Sequence, residues 1–163
     1  VEGMVLRSAA SKMWSEVARV LGGEPTNIPI SETYQALSQG IADGAEMSTS
    51  YIESLSWYEA APYIAETEHI MSTTALIMSS DVYYSLPEEA QTAIDEVTYE
   101  YMPIFIERIE DAESELRNKL EENGAIFTEV DKEPFIEAAQ RLPEKFTEWT
   151  PGLYEEIQAE LGY

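Results

Sequence analysis

The chain has 163 residues, 44% of them hydrophobic, enough to bury a core as one domain or two small lobes. Nine Lys and Arg against 32 Asp and Glu give a formal net charge of -23, which argues against nucleic acid or an anionic membrane as partner, because both are bound through basic patches. The absence of Cys excludes disulfides, thiolate catalysis and Cys-based metal sites, and no apolar run of about 18 residues reads as a membrane span.

The opening VEGMVLR carries no basic and apolar leader, which fits a chain that has lost what preceded it. Residues 2–8, EGMVLRS, read as a first strand. Met13, Trp14, Val17, Ala18 and Leu21 then recur at helical spacing, with Gly22-Gly23 placed to stop a helix over 11–21. PTNIPI reads as a second strand interrupted by Pro29, and Ser31 as the N-cap of a helix over ETYQALSQ that Gly40 ends. IADGAEM gives a third strand. Strands alternating with helices of about ten residues imply βα units and parallel pairing.

SYIESLSWYEAAPYI reads as a short helix or turn rich in aromatics, and AETEHIMSTTALIMSS as a long strand. Ser85 and Glu88 have capping-box spacing, with Pro87 in the first turn. Helical periodicity runs from there through Ile94, Val97, Tyr101, Phe105, Ile109, Ala112, Leu116 and Leu120 to Asn123-Gly124. Such a helix would be roughly 55 Å long and is expected to span two lobes, kinked at Pro103. AIFTEV is a further strand. DKEPFIEAAQRLPEKFTEW reads as one helix or two broken at Pro143, and TPGLYEEIQAEL as a last helix capped by Thr150 with Pro151 at its first position. The fold class is α/β.

Between Val1 and Glu107 the only cations are Arg7, Lys12 and Arg19. The two on the first helix have solvent as their default surroundings. Arg7 stands near the carboxyl end of the first strand, where open α/β sheets bind ligands, and its planar fork matches a carboxylate. Pairing with one of the many local acids is the competing reading. Asp43 and Glu46 could serve acid/base catalysis or a hard cation, yet nothing singles out a partner for either. No phosphate loop, dinucleotide fingerprint, zinc-protease helix or nucleophile elbow is present. His69, the single histidine, reads as structural. Tyr51, Trp57, Tyr58 and Tyr63 read as packing residues, some of which could line an apolar pocket wall.

Taken together, MVLRSAAS, LGGEPTNIPISETYQALSQGIADGAEM and SLPEEAQTAI resemble, in order and spacing, the solute-binding proteins of tripartite ATP-independent periplasmic (TRAP) transporters, in their dicarboxylate-binding branch. The resemblance covers the whole chain. It implies a two-lobed periplasmic binding-protein fold that captures an organic acid in the periplasm, clamps its carboxylate with Arg7 and hands it to a membrane permease. It implies no catalysis, no cofactor and no membrane insertion by this chain. Residues 1–65 would form the ligand-binding lobe, 66–86 a hinge strand returning to the other lobe, 87–123 the long kinked helix and 124–163 the C-terminal strand and helices. The N-terminal lobe would be largely absent, since the family's chains are about twice as long, and apolar surface meant for that lobe would be exposed.

Three positions depart from the family pattern. Met47 stands where an Asn usually helps hold the carboxylate, Ala9 where Pro is frequent, and Ile30 where an aromatic commonly packs on the ligand. A thioether donates no hydrogen bond, so Ser48 or Thr49 would substitute, or the ligand presents apolar surface there. Arg7, Ala9, Ile30, Met47, Ser48 and Tyr51 are thus the candidate ligand contacts, and a monocarboxylate with an apolar body is the expected ligand. The alternative is an acidic α/β interaction module that docks a basic partner and binds no small molecule.

Overall fold

The computed structural model describes residues 1–70 and 75–162. They fall into two compact units, one formed by residues 1–69 and 124–162, the other by the described part of residues 70–123.

In the first unit, β1 (Val5–Ser8) lies between β2 (Glu24–Asn27) and β3 (Gly44–Ala45), and all three run parallel. The register pairs Arg7 with Thr26 on one side and Ala45 on the other. Leu6, Arg7 and Ser8 are buried, as expected for the middle strand of a parallel sheet covered by helices. Helix α1 (Lys12–Val20) starts at Ser11, whose hydroxyl accepts from the Trp14 N–H at 3.3 Å. It ends at Leu21, and Gly22 follows at φ +90°, a conformation that favours glycine. Its Val17 and Ala18 pack into the core, and the helix lies on β1 and β2.

Beyond β2 the chain makes a single 3-10 turn at Ile30–Glu32 and enters α2 (Thr33–Ser38). Ser31 does not cap this helix: it lies inside the turn, and the buried Thr33 hydroxyl donates back to the Pro29 carbonyl at 3.2 Å. Gly40, at φ +67°, ends α2 as expected. Short helices α3 (Thr49–Ser54) and α4 (Trp57–Ala60) follow, and α4 packs on α2. Strand β4 (Tyr63–Glu66) pairs in parallel with β5 (Ile126–Glu129), four residues against four. The expected long strand is therefore confined to its first residues and the two before them. Of the remainder, 71–74 lie outside the described residues, 75–79 pair with no strand among the described residues, and Ser80–Ser85 form α5.

The first unit closes with α7 (Glu133–Ala139), a 3-10 turn at Pro143–Lys145 and α8 (Leu153–Leu161). Helix α7 touches α1. The buried Phe146 ring stacks on Trp149 with centroids 4.6 Å apart, and the Lys12 ammonium sits 4.8 Å from the Phe146 centroid while pairing with Glu148 at 3.0 Å. Helix α8 is preceded by Gly152 at φ +82°, so neither Thr150 nor Pro151 takes its expected place at the helix start.

In the second unit, α6 (Glu88–Glu122) is continuous through Pro103, which removes one backbone donor without ending the helix. The capping box is not formed. Ser85 is the last residue of α5, its hydroxyl donates to the Val82 carbonyl at 2.7 Å, and Pro87 stands at the N-cap of α6. The phenol of Tyr83 donates to Asp95 at 2.8 Å, tying α5 to α6. Within α6 only Leu120 is buried, whereas Val97, Tyr101, Phe105 and Ile109 are exposed. An apolar stripe of α6 is thus open to solvent.

One packing contact yields a prediction. A Cβ built on Gly23 would lie 2.6 Å from Leu6 Cδ1 and 2.8 Å from its Cγ, and Leu6 is fixed in the middle strand. Gly23→Ala should therefore cost about 1–3 kcal/mol through overpacking. The measurement is urea unfolding, with the midpoint lowered and the slope unchanged; a double-mutant cycle with Leu6→Val should be less than additive.

Candidate functional site

Because β1, β2 and β3 are parallel, their carboxyl ends emerge at one edge of the sheet, and the residues just past those ends face one another. Ala9 and Ala10 follow β1, Ile28 to Ile30 follow β2, and Glu46 and Met47 follow β3. With Arg7, Asn27 and Trp14 these residues line a cavity of about 630 Å³. That volume suits a small organic molecule, and the lining is mostly apolar with a few polar groups, the usual constitution of a ligand site. The first turn of α1 contributes Trp14, so the partly positive helix N-terminus also faces this edge.

Arg7 is held rigidly. Its Nε donates to the Ile28 carbonyl at 2.9 Å, and its guanidinium carbon lies 5.8 Å from the centroid of the buried Trp57 ring. Burial works against the guanidinium charge, and the Glu46 carboxylate restores part of it. Burial likewise pushes the Glu46 carboxyl above the usual range, and Arg7 opposes that shift. Asn27 is fixed through its carbonyl oxygen, which accepts from the Ser8 hydroxyl at 2.9 Å and from the Ser15 hydroxyl at 3.3 Å. Its amide NH₂ remains a donor pair at the cavity wall.

Four of the six expected contacts, Arg7, Ala9, Ile30 and Met47, line this one cavity. Ser48 and Tyr51 are not among the lining residues: the Ser48 hydroxyl pairs with that of Ser50 at 3.1 Å, and Tyr51 is exposed on α3. Asp43 serves the sheet, accepting from the Val5 N–H at 2.7 Å and donating its own N–H to the Val5 carbonyl at 2.8 Å. His69 also stands apart from the lining; its Nδ1 is 2.7 Å from the Thr67 hydroxyl, and its ring is 6.4 Å from that of Phe135. Sequence reasoning missed Trp14 and Asn27, and it weighed Glu46 only as an acid beside Asp43. The register explains Asn27: it pairs with Ser8, one residue beyond Arg7. Among the described residues no group of three or more His, Asp and Glu could hold a metal ion, and no helix is long and apolar enough to cross a membrane.

A parallel sheet whose carboxyl edge opens into an apolar cavity with a fixed guanidinium has the geometry of a candidate small-molecule site on an α/β lobe. Residues 1–149 match the family described as bacterial extracellular solute-binding protein, family 7, and the chain belongs to it. Among its relatives is the ectoine-binding periplasmic protein TeaA of Halomonas elongata, 31% identical over 150 residues that make up 89% of this chain and 44% of the relative. Among solved structures, a TRAP periplasmic solute-binding protein from Fusobacterium nucleatum with bound sn-glycerol-3-phosphate is 33% identical with a TM-score of 0.86, covering 99% of this chain and 52% of that one. A second, from Xanthobacter autotrophicus with bound β-D-galacturonate, is 28% identical with a TM-score of 0.85, covering 97% and 53%. The fold is thus that of the two-lobed periplasmic binding proteins, and the chain spans about half the length of these relatives.

Proposed function

We propose that this chain supplies the carboxylate-holding wall of a TRAP receptor that captures an organic acid outside the cytoplasm and delivers it to a membrane permease, by binding and release without turnover. The observation that carries the reading is the single cation of the cavity. Arg7 is 8% exposed, oriented by Ile28 and Trp57, and placed at the sheet edge where an anion would also meet the N-terminus of α1. The family, and the solved relatives with bound galacturonate and glycerol-3-phosphate, support an anionic ligand.

The finer part of the reading is that the ligand is a monocarboxylate with an apolar body. Met47, Ile30, Ala9 and Trp14 offer it no hydrogen-bond partner apart from the Trp14 indole N–H, so a second carboxylate would be desolvated without compensation. The Asn27 amide takes over the hydrogen-bonding role that Met47 cannot perform. A thermal-shift panel of apolar monoacids, succinate-like diacids and sugar acids tests this. At a concentration near 100 Kd a ligand contributes about 2.7 kcal/mol, a rise of roughly 5–10 °C in Tm for a chain of this size. Apolar monoacids should give the largest rise; a clear preference for succinate would overturn the finer reading.

A further inference from the structure

Neither Ser8 nor Ser15 lines the cavity, yet both are buried and both spend their hydroxyls on one residue that does. The Ser8 hydroxyl donates to the Asn27 carbonyl oxygen at 2.9 Å, and the Ser15 hydroxyl donates to the same atom at 3.3 Å. These two bonds fix which way the amide faces. Turned by half a rotation, it would present its NH₂ to the hydroxyls and leave both hydroxyl protons without an acceptor, since among the described residues neither hydroxyl has another partner. A buried donor left without a partner costs about 1–3 kcal/mol, so the carbonyl oxygen stays turned inward. Both its lone pairs are then taken, and Asn27 offers the cavity two N–H donors and no acceptor.

Successive side chains of a strand point to opposite faces, and Arg7 and Ser8 are successive in β1. Ser8 turns toward α1, where it shares Asn27 with Ser15, and Arg7 turns toward the Trp57 ring that opens α4. The guanidinium and the amide thus reach the carboxyl edge from opposite faces but at adjoining residues, because Asn27 is in register with Ser8 and Arg7 is bound to the Ile28 carbonyl. We infer that Asn27, set by Ser8 and Ser15, selects acids that carry a neutral hydrogen-bond acceptor on the carbon beside the carboxylate. One amide N–H serves the carboxylate held by Arg7, and the other meets the neighbouring acceptor.

The inference rests on the proposed function, since it takes the Arg7 carboxylate contact as given. It adds what that reading leaves open: of two acids with the same charge and the same apolar body, the one with the acceptor binds tighter. Such a pair differs only at the atom next to the carboxylate, so whatever else encloses the ligand contributes equally to both members. Asn27 is then a specificity residue, and Ser8 and Ser15 are positioning residues that act on the ligand only through its amide.

Titration calorimetry on the intact protein at pH 7.5 tests this with matched pairs, 4-methyl-2-oxopentanoate with 4-methylpentanoate and 2-oxohexanoate with hexanoate. In at least one pair the 2-oxo acid should bind about 3–10-fold tighter, the size of one neutral hydrogen bond. Asn27→Asp keeps the oxygen that both serines bond and turns its neighbour from donor to acceptor, so it should abolish or reverse that preference. Ser8→Ala combined with Ser15→Ala frees the amide to turn and should bring the ratio of the two affinities toward one. A loss of packing alone would weaken both members of a pair equally and leave that ratio as it was. If the plain acid binds as tightly as its 2-oxo partner in both pairs, or if the preference survives Asn27→Asp or the loss of both serines, the inference fails and the carboxylate reading stands. If no member of either pair binds, or if binding survives Arg7→Ala, both fail.

Discussion

Arg7→Ala should weaken organic-acid binding by about 30-fold or more, because truncating one partner of a buried hydrogen-bonded charge pair costs about 2–5 kcal/mol. The fold should survive, since the change also removes a buried charge. What is lost is one bond to the Ile28 carbonyl and the stack on Trp57. Arg7→Lys keeps the charge but loses the planar fork and the Nε bond, so it should recover only part of the affinity. Titration calorimetry against the best acid of the panel makes the comparison, with circular dichroism confirming that each variant is folded. Wild-type affinity in Arg7→Ala would remove the basis of the proposed function and favour an acidic interaction module, whose docking of a basic partner this change would spare.

The second large effect concerns what holds Arg7 in place. Trp57 is 3% exposed and opens α4 after Ser56, a non-glycine residue in the left-handed region at φ +54°. Trp57→Ala should cost about 3–5 kcal/mol, a fall in Tm of roughly 6–20 °C. Trp57→Phe should cost less, because most of the volume and an aromatic face for the guanidinium remain. Tyr51→Ala is the control: that ring is 49% exposed, and its loss should change stability by less than about 0.5 kcal/mol. Equal effects of Trp57→Ala and Tyr51→Ala in urea unfolding would refute the packing role.

Most elements of residues 1–45 were legible because their periods are clean, the Ser31 cap excepted. Val5–Ser8 is short and opens on Val and Leu, Trp14, Val17, Ala18 and Leu21 follow a helical stripe, and Gly22 and Gly40 stop the helices that precede them. Legibility failed where a local pattern had a competing use. Ser85 has the spacing of a capping residue, but Leu86-Pro87 separates it from α6, and its hydroxyl is spent inside α5. The apolar run after Glu66 carries strand propensity, yet only Tyr63–Glu66 finds a partner strand. In α6 the periodicity gave the helix but not its burial, because periodicity records which face is apolar and not what covers it. The candidate site was legible in part through the family resemblance, which singled out Arg7 and Met47, and both line the cavity. Trp14 and Asn27 were not, since their meeting depends on parallel register, a property of three chain segments at once.

The pairing of β4 with β5 has a kinetic consequence. The two strands are separated by about 60 residues that hold the whole second unit, so the first unit is discontinuous in sequence and its second sheet cannot form by local zippering. Closing a loop of that length costs about 3–4 kcal/mol of chain entropy beyond a constant, against only four residue pairs of ladder. The three-stranded sheet, whose crossovers are short, can assemble before that closure, and with it the walls of the cavity. Completion of β4 against β5 is then the expected slow step of this unit, and in stopped-flow refolding variants that weaken α6 should lengthen it without altering the geometry around Arg7.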